Sequence, residues 1–65
     1  MVPFPPNLSA FIRAVEEELQ LRGCEFDLSS LIRFCTDVWA LARLDPDVPR
    51  WAREFIESGR SDVPA

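Results

Sequence analysis

Residues 26–44, FDLSSLIRFCTDVWALARL, decide how this chain folds. At about 100° of helix per residue, Leu28, Leu31, Ile32, Cys35, Val38, Trp39 and Ala42 share one face. Phe34 and Leu41 widen that face on one side, so roughly half the helix circumference is apolar. A helix that merely borders a core shows a narrower stripe. The second helix therefore predicts two covering neighbours, or one neighbour and a partner chain, and everything else in the chain is expected to pack against it.

The flanks supply the neighbours. Upstream, Leu8, Phe11, Ile12, Val15 and Leu19 recur at the spacing of one buried helix face, with Arg13, Glu16, Glu17 and Gln20 opposite. A first helix is expected over residues 8–22, capped by Asn7 or Ser9. Gly23 stops it in the left-handed conformation, and Cys24 then folds onto Leu19. Asp27 caps the second helix, over 28–44, and Phe26 staples onto Leu31. The short link between these two helices favours an antiparallel hairpin. Asp45-Pro46 ends the second helix, because a residue before proline is pushed out of the helical region. Asp47 caps a third helix over 48–58, in which Val48, Trp51, Ala52, Phe55 and Ile56 form an amphipathic stripe that ends at Gly59. Residues 1–6 hold three prolines and predict an extended arm whose Phe4 folds over the core; residues 60–65 predict a flexible tail. There is no repeat and no strand pattern. The expected fold is an all-α, compact three-helix domain, an antiparallel hairpin plus a shorter third helix.

Sixty-five residues make a single domain, 1–65, and at this size a chain buries only about 60% of its unfolded surface. Five Phe, two Trp and an apolar fraction of 48% are more than three short helices easily hide. That surplus is the first sign of a partner face.

Charge narrows the function classes. Eleven acidic residues against seven basic give a net charge of −4, which opposes the phosphate backbone that drives most nucleic-acid affinity. Every basic residue is arginine, so no side-chain amine can form a Schiff base. The chain also lacks His and Tyr, which removes the usual general bases. Glu16, Glu17 and Glu18 splay over about 200° of a helix and cannot converge on one atom. Both glycines are helix stops, so no phosphate-cradling loop exists. Cys24 and Cys35, without histidine, do not complete a four-coordinate zinc site, and reduced thiols in a cytoplasmic protein are expected. No enzyme and no cofactor or metal is expected. MVPFPPN has neither the charge nor the apolar run of a secretory leader, and no apolar run approaches the ~20 residues of a membrane span.

The function expected is protein–protein interaction, with another protein or with a second copy as a homo-oligomer. Phe34, Val38 and Leu41 on the second helix, with Leu21 on the first, are the candidate interface. The rival from another class is a helix-turn-helix-like DNA-binding regulator using Arg50, Arg53 and Arg60. Against it, Glu54 and Glu57 share the polar face of Arg53. Trp39 and Trp51 are expected in the core, their indole N–H groups needing partners or an outlet to water.

Overall fold

The computed structural model describes residues 5–45 and 47–59, and these form three helices with no strand among them: α1 (Leu8–Leu21), α2 (Leu28–Leu44) and α3 (Val48–Glu57). The first four residues, Phe4 among them, and the tail from Arg60 lie outside the described residues.

Each helix starts where a short polar side chain can satisfy a first-turn amide. Asn7 accepts from the Ala10 amide at 2.9 Å, Asp27 from Ser30 at 3.1 Å and Asp47 from Arg50 at 3.3 Å. Pro49 sits in the first turn of α3, where its missing N–H costs nothing. The end of α1 is closed by two backbone bonds, Cys24 N–H to Leu19 C=O and Gly23 N–H to Gln20 C=O, each 3.0 Å. That pair of bonds requires a left-handed residue between them, and Gly23 supplies it at φ +68°.

Packing places α1, not α2, at the centre. The most extensive helix contact is α1 with α3, the next α1 with α2, and α2 touches α3 least. Phe11, Val15 and Leu19, spaced four apart, are all wholly inaccessible and form the ridge on which both other helices close. From α2 the core takes Leu31, Phe34, Cys35 and Ala42; from α3 it takes Trp51, Ala52 and Phe55. Phe55 meets the Phe34 ring edge-on at 5.3 Å and the Phe26 ring at 6.5 Å, and Phe11 tilts against Trp39 at 5.6 Å. Such pairs add about 0.5–1.5 kcal/mol each beyond the area they bury.

One expectation for the interface is overturned. Phe34 is only 5% exposed, and the Phe55 ring of α3 lies edge-on against it at 5.3 Å. The opposite edge is open instead: Leu28 and Ile32, expected in the core, remain 51% and 43% exposed. The ridge of α1 is narrow, so it covers the arc of α2 through Leu31, Cys35 and Ala42 and stops short of them. Val38 is half-buried against the core, Leu41 is 59% exposed about two turns beyond Phe34, and Leu21 is 84% exposed.

Two substitutions separate these environments. Phe34→Ala is expected to cost about 3–5 kcal/mol and bring a domain of this size close to unfolding. Leu41→Ser should change stability by no more than about 0.5 kcal/mol. Urea denaturation followed by far-UV circular dichroism measures both, and a mild Phe34→Ala would contradict the packing described.

Candidate protein-binding surface

The outer side of α2 carries a row of residues four apart, Leu28, Ile32, Thr36, Ala40 and Leu44, all exposed. Residues at this spacing stack into a continuous ridge running obliquely along a helix. Leu44 is 84% exposed, so the row ends in an almost naked leucine. The single polar member is turned inward chemically: Thr36 Oγ1 donates to the Ile32 carbonyl at 2.8 Å, which leaves its methyl group on the face. Ser29, Arg33 and Arg43 border the row and are exposed as well. The sequence periodicity located Leu28 and Ile32 but assigned them inward. Thr36, Ala40 and Leu44 were legible only by testing the polar side of the helix for a period of its own.

Of the arginines considered for nucleic acid, Arg50 and Arg53 are described, and they stand in different surroundings. Arg50 Nη1 lies 3.1 Å from Asp45 Oδ2, and its guanidinium carbon sits 4.5 Å from the centre of the Trp51 ring. The Trp51 indole N–H donates to the Asp45 carbonyl at 2.8 Å, so the same residue receives both neighbours. From the end of α1, Arg22 Nη2 approaches the Pro49 carbonyl at 3.5 Å. These contacts clasp the turn between α2 and α3, and they engage Arg50 in holding that turn. Arg53 is exposed beside exposed Glu54 and Glu57, and Arg60 lies outside the described residues.

No group of three or more metal-ligating side chains occurs among the described residues. A shallow depression of about 430 Å³ runs beside α1, lined by Asn7, Ser9, Ala10, Arg13, Ala14 and Glu17 from that one helix and its cap. It holds one carboxylate and one guanidinium at i,i+4 spacing, and no second acid or nucleophile. No described helix is long and apolar enough to cross a membrane.

Both cysteines are free thiols. Cys24 is half-buried and its thiol lies 3.4 Å from the Glu25 carbonyl. Cys35 is fully enclosed, and burial pushes its pKa from 9.0 up to about 12. A thiol held protonated is a poor nucleophile, and Cys35 acts as a small apolar core residue.

No family model, no curated protein and no solved structure matches the chain.

The thiols give a direct check on the core. At pH 8 a disulfide reagent is expected to label Cys24 in the folded chain and to reach Cys35 only on denaturation. Because the folded chain keeps the Cys35 proton above pH 9 while the unfolded chain releases it, stability should fall as pH rises from about 9 toward 12. The slope attributable to this one proton is at most about 1.4 kcal/mol per pH unit. Cys35→Ala should remove that part of the slope; rapid labelling of both thiols in the native state would contradict the burial.

Proposed function

We propose that the chain is a protein–protein interaction module that docks on another protein, or on itself, through the outer face of α2. The observation that carries this is the exposure of Leu28, Ile32, Leu41 and Leu44 along one helix of a molecule whose core closes without them. Single exposed leucines are ordinary on protein surfaces; here Leu28, Ile32 and Leu44 belong to one four-residue row, with Leu41 exposed on the flank of Phe34, and exposed apolar surface gathered on one helix is of the kind that marks an interaction site. Leu21, at the end of α1, adds a fifth exposed apolar side chain outside the row.

The face suits docking for a physical reason. Association releases water from apolar area at about 25 cal/mol per Å², and helix-borne side chains lose little further backbone freedom on binding. An exposed helix of 17 residues is about 25 Å long, which is a small interface by the usual standard of ~800 Å² per partner. A reversible association is therefore expected.

The test uses the double variant Ile32→Ser/Leu44→Ser, which removes two of the three large apolar side chains of the row and no buried core residue. The native chain should show a mass above 7.4 kDa that falls on dilution, or retain a defined protein from its own cells, and the variant should lose that association with unchanged helicity. A native chain that stays monomeric, and retains nothing that the variant does not, would overturn the proposal.

A further inference from the structure

We draw no further inference here: the strongest candidate, the exposed apolar patch of Leu28, Ile32 and Leu44 on the outer side of α2, belongs to the surface already described, and nothing in the structure shows what covers it.

Discussion

The fold depends on one narrow ridge. Phe11, Val15 and Leu19 stand four residues apart on α1 and are wholly enclosed, so both α2 and α3 have to close on the same line of side chains. A ridge three residues long cannot cover a helix of 17 residues whose apolar arc spans half its girth. Among the described residues, whatever α1 leaves over is met by α3 or remains exposed. α3, with ten residues, meets Phe34 through Phe55, and Leu41 on the same flank remains 59% exposed. The outer apolar face of α2 is thus a consequence of helix lengths and ridge width, before any question of function arises.

The second constraint is the turn after α2. Pro49 restricts the backbone there, and Trp51, Arg50 and Asp45 bind the two sides of it together through an indole hydrogen bond, an ion pair and a stacked guanidinium. The ion pair is half-exposed and contributes little by itself. The indole bond matters more, because it lets a large aromatic ring enter the core without stranding its N–H. Arg22 adds a contact from the end of α1. In a helix-turn-helix protein this region would present its cations to phosphate; here Arg50 is drawn back onto its own chain.

Local signals were readable in the sequence and the choice of neighbour was not. Asn7, Asp27 and Asp47 set the helix starts through chemistry confined to one turn, and Gly23 and Gly59 set two of the ends by their positive φ. Those features depend on nothing distant. The width of the apolar arc on α2 was also readable, since it follows from spacing alone. Which edge of the arc faces water was not, because it depends on where α3 returns. Phe34 and Ile32 look equivalent as apolar residues of one helix, yet the first meets Phe55 and is 5% exposed while the second is 43% exposed. The arginines were similarly ambiguous: Arg50 and Arg53 differ only in that Asp45 and Trp51 lie within reach of one of them.

The two tryptophans stand in different surroundings, and that gives the molecule a pair of optical reporters. With no tyrosine in the chain, its near-ultraviolet emission comes from Trp39 and Trp51 above a weak phenylalanine background. Trp51 is buried and its indole is hydrogen-bonded to a backbone carbonyl, so its emission follows the integrity of the fold. Trp39 is half-buried on α2, about 60° from Thr36 on the Arg43 side, at the margin of the exposed row. Trp39 also tilts against Phe11 of the core at 5.6 Å, so both indoles follow the fold, each from a different environment and without any label added to the chain.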